Sequence, residues 1–271
     1  MSRNKIVTVG LGILLTTAFL YDWYDSTPLW IYIVLVVCYL IIHTVGSVVL
    51  SLRLFLPVKF NGKEESKAVA ITFDDGPIPF KTEKILEILY QSQALATFFC
   101  IGHRVADHPE VARRIHDAGH LIGNHSYWHG KTFDLQSSGK IKKELFDTDE
   151  VIEKSIGFTP LFFRPPYGVT NPMVARAVKQ SGHETIGWSV RSFDTITPDP
   201  EKLMKRITKS LKGGDIILLH DYCDVTIEIL PKLIHHIASL GLKMVRVDEL
   251  LSEKAYREDV SLPSNTVGIK N

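Results

Sequence analysis

From residue 68 onward the chain alternates short apolar runs with helical patterns, and this alternation leaves little choice of architecture. Strand candidates fall at 68–73, 96–101, 121–124, 161–164, 184–190, 215–220 and 243–247. Helical patterns occupy 82–91, 109–118, 139–156, 172–181, 200–211 and 226–240. Pro109, Pro172 and Pro200 stand where a first helical turn accepts proline, and Gly119, Gly157, Gly182 and Gly241 stand where helices end. Alternation of this kind implies an α/β fold with a parallel sheet. A chain of 271 residues, 45% hydrophobic and 23% charged, has room for one domain of barrel size plus an appendage. Its formal charge of +1 argues against a dedicated polyanion binder, so no nucleic-acid partner is expected. No oligomeric state is specified.

The composition shifts near residue 60. Residues 6–21 are apolar or small and uncharged, and residues 29–52 are apolar with only His43 ionisable. The second stretch, about 24 residues, is long enough for roughly 30 Å of hydrocarbon. The first, about 16 residues, is near the lower limit for a span. A signal peptide would carry a small-residue cleavage site after it, and the chain has Tyr21-Asp22-Trp23-Tyr24-Asp25 instead. A transmembrane helical hairpin in a lipid bilayer is therefore expected over 1–60, with Trp30 and Tyr32 suited to the interface. Arg3 and Lys5 precede the first helix and Arg53 and Lys59 follow the second, so the positive-inside rule favours a cytoplasmic catalytic domain. Residues 61–67 form a polar linker, 68–252 the catalytic domain and 253–271 a loose tail.

"TFDDGP", Thr72 to Pro77, ends the first strand candidate with two adjacent carboxylates. It is good turn chemistry in its own right. On a regular strand Asp74 and Asp75 would point to opposite faces, so they share a site only where the chain leaves the strand. Sharing it, they repel unless a cation intervenes. Cys38, Cys100 and Cys223 are widely spaced, odd in number and read as buried free thiols.

Polar residues recur where the other strands end. "NHSYWH" supplies His125 and His129, four apart, which with an aspartate compose a two-histidine, one-carboxylate metal triad. "FRPPYG" carries Arg164 and Tyr167 on a stiff backbone, and "IILLHD" ends an apolar strand with His220, a candidate acid. His103, His108, His116, His120, His183, His235 and His236 lack partner motifs and read as solvated or capping residues.

TFDDGP, HSYWH, RPPYG, WSVRSFD and IILLH, in this order and spacing, closely resemble the polysaccharide deacetylases of carbohydrate esterase family 4, the NodB-homology domain, over about residues 68–250. The resemblance implies a distorted (β/α)7-type barrel and removal of N-acetyl groups from amino sugars. It makes Asp74 the general base, and Asp75, His125 and His129 the ligands of a divalent metal, usually zinc, with cobalt also suited. His220 matches the general acid, Asp194 the carboxylate that orients it, Arg164 the partner of the base, and the Tyr167 backbone amide the oxyanion donor.

Two positions depart from the family pattern. Arg191 stands where an aspartate is usual, and Thr195 where a tryptophan follows the orienting carboxylate. The substrate is expected to be an N-acetylated glycan. A lipid-linked amino sugar, deacetylated or deformylated at the cytoplasmic face, is the competing expectation, because it would need the same catalytic groups.

Overall fold

The computed structural model describes residues 3–257 of the chain. Two helices come first, α1 (Arg3–Tyr21) and α2 (Leu29–Val48). There follow β1 (Ala68–Gly76), α3 (Lys81–Gln91), β2 (Ala96–Cys100), α4 (Gly102–Asp107), α5 (Pro109–Asp117) and β3 (Leu121–Asn124). The chain continues through α6 (Ser138–Ile156), β4 (Phe162–Phe163), α7 (Pro172–Ser181), β5 (Glu184–Thr185) and β6 (Val190–Arg191). It closes with α8 (Pro200–Thr208), β7 (Ile216–His220), α9 (Asp224–Ser239), β8 (Lys243–Met244) and α10 (Val247–Leu251).

The strands form one parallel sheet in the order β5-β4-β3-β2-β1-β7-β6, with β8 added to β1. The segment expected as a single strand over 184–190 is two short strands, β5 on β4 and β6 on β7. The sheet thus curls until its two edges are successive pieces of one segment, which is the distortion in the barrel. Between them the chain leaves its neighbours and pairs elsewhere: Gly187 N–H donates to the Lys59 carbonyl at 2.8 Å and Ser189 N–H to that of Ile216 at 3.0 Å.

Period-two alternation sorts β1 into two environments. Val69, Ile71 and Phe73 join the core under the surrounding helices, packed with Ile85, Leu89 and Leu233. Ala70 faces the barrel interior with Phe99, Leu121 and Ile216. Burial on both faces is what a parallel sheet requires of its strands, and β1 is accordingly an almost unbroken apolar run until the aspartates.

The change in composition at residue 60 does not coincide with a break in packing. Leu50, Leu54, Phe55, Leu56 and Val58 are buried with Phe133, Leu145, Phe163 and Val174. Asn61 bridges to Asp215, and Gly62 N–H donates to the Gly214 carbonyl at 2.7 Å, so the polar stretch after it is laced onto the domain. α1 and α2 are each long and apolar enough to cross a membrane, and almost none of their residues is buried. The second ends at Val48, earlier than expected, and Leu50–Leu52 turn as a short 3-10 helix.

At the other end, Tyr256 and Arg257 depart from the expectation of a loose tail. Tyr256 bridges to Pro160 and its hydroxyl accepts the Ile122 N–H at 3.2 Å, while Arg257 donates to the Ser181 carbonyl at 2.9 Å. Positions 258–271 lie outside the described residues. Cys100 and Cys223 are buried as free thiols, but Cys38 is exposed on α2. His120 and His183, read as solvated or capping, are buried, the second between Ser181 and Asp149.

Candidate active site

The expected residues converge at the carboxyl ends of the strands, the end where barrels of this kind gather polar groups. Asp74 continues the inward-facing row of β1 below which Ala70 and Thr72 lie. Asp75 would alternate to the helix side, but its φ of 74° places it in the left-handed region. The register between β1 and β2 slips there, with Asp74 opposite Phe99 and Gly76 opposite Cys100. A bulge at Asp75 therefore turns both carboxylates toward one cleft, one residue before the Gly76-Pro77 exit that the turn motif suggested. The Arg104 guanidinium clamps the Asp75 carbonyl.

His125 and His129 lie on the loop after β3, not on a helix. Ser126 and His129 have φ of 62° and 51°, and this winding brings the two rings to 4.7 Å between centroids. Asn124 fixes the loop's root. Its amide donates to the Leu145 carbonyl and to Asp149, each at 2.8 Å, and its Oδ1 accepts the Ser126 N–H at 2.9 Å. Five non-glycine residues around the cleft, Asp75, Ser126, His129, Tyr167 and Phe193, hold positive φ, a concentration of strained backbone that functional sites support with surrounding packing.

His125 Nδ1 lies 2.7 Å from the Arg164 carbonyl, which can only accept, so this nitrogen carries the proton and Nε2 presents a lone pair. That lone pair is 3.4 Å from Asp75 Oδ1, and His129 Nε2 is 3.3 Å from the same oxygen. Asp75 Oδ1 is buried without a hydrogen-bond partner among the described residues. Burial holds the His129 pKa down to about 4, so that ring is neutral near pH 7. Burial opposes ionisation of Asp75, but the adjacent imidazoles outweigh it and hold its carboxyl well below the usual range. Three potential ligand atoms around one point, one of them a buried carboxylate oxygen without a hydrogen-bond partner among the described residues, fit a divalent cation.

Asp74 has different company. Its Oδ1 accepts Arg164 Nη1 at 2.7 Å. Arg164 is wholly buried, and it also donates to Thr72 Oγ1 at 2.7 Å and to the Gly187 carbonyl at 2.8 Å, with its plane 4.1 Å from the Phe99 ring. Burial pushes the guanidinium pKa down, yet the Asp74 charge beside it favours the protonated form.

Opposite them, His220 Nδ1 meets Asp194 Oδ1 at 2.8 Å. The same carboxylate accepts the His220 N–H at 2.7 Å and the hydroxyls of Thr226 at 2.6 Å and Ser192 at 2.9 Å. Burial opposes protonation of His220, but the hydrogen bond and charge of Asp194 outweigh it and raise the imidazole pKa. Tyr167 sits at the cleft mouth with φ of 59°, half exposed, its ring over His129. The amides of Gly168 and Val169 close turns onto Pro165 and Pro166, whereas that of Tyr167 closes none among the described residues.

Sequence reasoning missed the supports. Ser192 and Thr226 brace Asp194, and Asn124 with Asp149 braces the histidine loop; no spacing rule marks Thr226 or Asp149, because each meets its partner from a distant part of the chain. It also missed Trp188, Phe193 and Tyr222, which line the cleft near Thr195. Arg191, noted as a departure, lines it too.

A curled parallel sheet carrying a possible metal triad, a buried carboxylate clamped by arginine and a carboxylate-oriented histidine is the arrangement of the NodB-like class of α/β proteins. The chain belongs to the polysaccharide deacetylase family, whose model matches residues 61–186. It is 37% identical over 193 residues to a peptidoglycan-N-acetylglucosamine deacetylase of Bacillus cereus, covering 69% of this chain and 90% of that one. It is 32% identical to the peptidoglycan-N-acetylmuramic acid deacetylase PdaC of Bacillus subtilis, covering 75% of this chain and 43% of the relative. Among solved structures, a peptidoglycan N-acetylglucosamine deacetylase matches with a TM-score of 0.70 at 28% identity, over 74% of this chain and 95% of that one. A family 4 pseudoenzyme from Bacillus anthracis matches with a TM-score of 0.68 at 31% identity, over 73% and 70%.

Proposed function

We propose that the protein is a metal-dependent N-deacetylase of amino sugars in a glycan, with Asp74 as base and His220 as acid. The observation that carries this reading is the division of labour at the bulge: Asp74 is paired with Arg164, while Asp75 faces the Nε2 atoms of His125 and His129. Membership of the family and its peptidoglycan-deacetylating relatives supports the substrate class.

A divalent cation held by Asp75, His125 and His129, zinc by the character of the donors and cobalt as a substitute, would polarise the acetamide carbonyl and lower the pKa of an attacking water. The chain's own groups do the rest. Asp74, ion-paired with Arg164, removes the water's proton. The tetrahedral oxyanion that follows meets the Tyr167 N–H, which has no acceptor among the described residues. His220, its Nδ1 fixed on Asp194, presents the opposite nitrogen to the cleft and protonates the leaving amine. Acetate and a free amino sugar result. Purified full-length protein should release acetate from N-acetylglucosamine oligomers, with one new primary amine for each acetate. No release from neutral or anionic N-acetyl sugars would overturn the reading.

The second reading keeps the chemistry and changes the substrate to a lipid-linked N-acylated sugar. It is favoured by the joint between α2 and the active-site loop, where Thr170 N–H donates to the Ser47 carbonyl at 2.9 Å and Ser47 Oγ to the Thr170 carbonyl at 2.5 Å. With α1 and α2 as a membrane hairpin, this joint holds the cleft beside the bilayer. Arg3, Lys5, Arg53 and Lys59 favour its cytoplasmic side. A reporter fused after Asn271 tests the side: cytoplasmic fluorescence supports the lipid-linked substrate, and alkaline phosphatase activity supports wall glycan.

A further inference from the structure

We infer that Arg191 is a specificity-determining residue, which recognises a carboxylate or phosphate carried by the amino-sugar substrate. The inference rests on the deacetylase reading above and names its substrate more narrowly. Arg191 ends β6, is exposed and lines the same cleft as Asp74, Asp75 and His220. It makes no ion pair among the described residues, unlike Arg164, whose charge is spent on Asp74.

Its guanidinium is nevertheless held in place. Its Cζ lies over the Trp188 ring, 5.5 Å from the ring centre, and over that of Phe193, 4.6 Å from its centre. Phe193 adopts φ of 59° and also lies under Arg206, whose Cζ is 4.9 Å from the ring centre. Stacking uses the faces of a guanidinium and leaves its rim of N–H donors available, the geometry that binds a carboxylate or phosphate through two parallel hydrogen bonds. The aromatic contacts also reduce the side-chain entropy lost on binding.

The charge of the cleft sets the sign of the partner. Asp74 is neutralised by Arg164, and Asp75 would be neutralised by the cation its neighbours are built to hold. Arg191 then remains as a cation with no counter-charge, and an anionic group on the substrate supplies one. A neutral chitin-like chain leaves it unmatched.

The test compares the metal-loaded full-length protein with Arg191→Ala and Arg191→Lys on three substrates. These are a neutral N-acetylglucosamine oligomer, a glycan containing N-acetylmuramic acid, whose lactyl group bears a carboxylate, and N-acetylglucosamine 1-phosphate. For Arg191→Ala the ratio of kcat/KM on the matching anionic substrate to that on the neutral one should fall about tenfold, through KM, as loss of a charge-assisted hydrogen bond implies. The lysine variant should recover part of it, and added salt should weaken the wild-type preference. A fall confined to the muramic substrate assigns the carboxylate, and one confined to the phosphate substrate assigns the phosphate. Calorimetric binding of the same three sugars reads the ratio without turnover, so absent hydrolysis overturns the deacetylase reading separately. An unchanged ratio in both measurements overturns the role of Arg191.

Discussion

Asp74 and Arg164 form a buried ion pair, Oδ1 to Nη1 at 2.7 Å, at the point where the inward row of β1 reaches the cleft. Removing one partner would strand the other's charge out of water. Arg164→Met should therefore lower stability by about 3–5 kcal/mol, and the exchange to lysine should recover only part, since three further bonds to Thr72, Ile186 and Gly187 need the guanidinium fork. Chemical denaturation of the three proteins checks this. Equal stability would mean the pair is not buried as described.

The two aspartates should separate by assay. Asp75→Ala should lose bound metal together with turnover. Asp74→Asn should retain the metal and lose turnover by about 10²- to 10⁴-fold, the range for removing a general base. Metal analysis beside acetate release distinguishes them, and equal metal loss in both would reverse the assigned roles.

His220 should govern the alkaline limb of activity. Asp194 raises its pKa, so the protonated acid persists to higher pH than a free imidazole would. Asp194→Asn should move that limb of the kcat profile to lower pH. Stability follows the same sign: a histidine whose folded pKa is raised stabilises the fold below its unfolded pKa, and that contribution is lost as pH rises through the folded value. An unmoved limb in the variant would show that the acid is another group.

The segment after α2 should behave as domain core. Leu54 is buried against Gly46, where an added Cβ would collide with it, and Leu54→Ala should cost about 2–5 kcal/mol. A protein begun at residue 61 should melt below one begun at residue 47, because it also lacks Phe55, Leu56 and Val58. Equal melting temperatures would mean these side chains only shield surface.

The legibility of the chain follows from where its information is local. The β/α alternation was readable because each strand and helix carries its own period and its own proline or glycine punctuation. The shared site of Asp74 and Asp75 was readable as a requirement, that the strand be left, though the means, a bulge with Asp75 at positive φ, was not. The split of 184–191 was illegible, since only its two different neighbours, β4 and β7, divide it. The packing of residues 50–60 was hidden for a related reason: apolar residues that continue a membrane-length run look like more of it, and only Phe163 and Val174, over a hundred positions away, show otherwise. Tyr256 and Arg257 were lost among the polar residues of the C-terminus, because their partners Ile122 and Ser181 lie 134 and 76 positions away.

The most direct test is acetate release by the full-length protein before and after exhaustive chelation, with metal content measured in the same samples. The account predicts that activity vanishes as the cation is removed and returns with about one equivalent of Zn²⁺ or Co²⁺ per chain. It also predicts that neither ion restores His125→Ala or His129→Ala. Full acetate release from protein shown to be metal-free would contradict it.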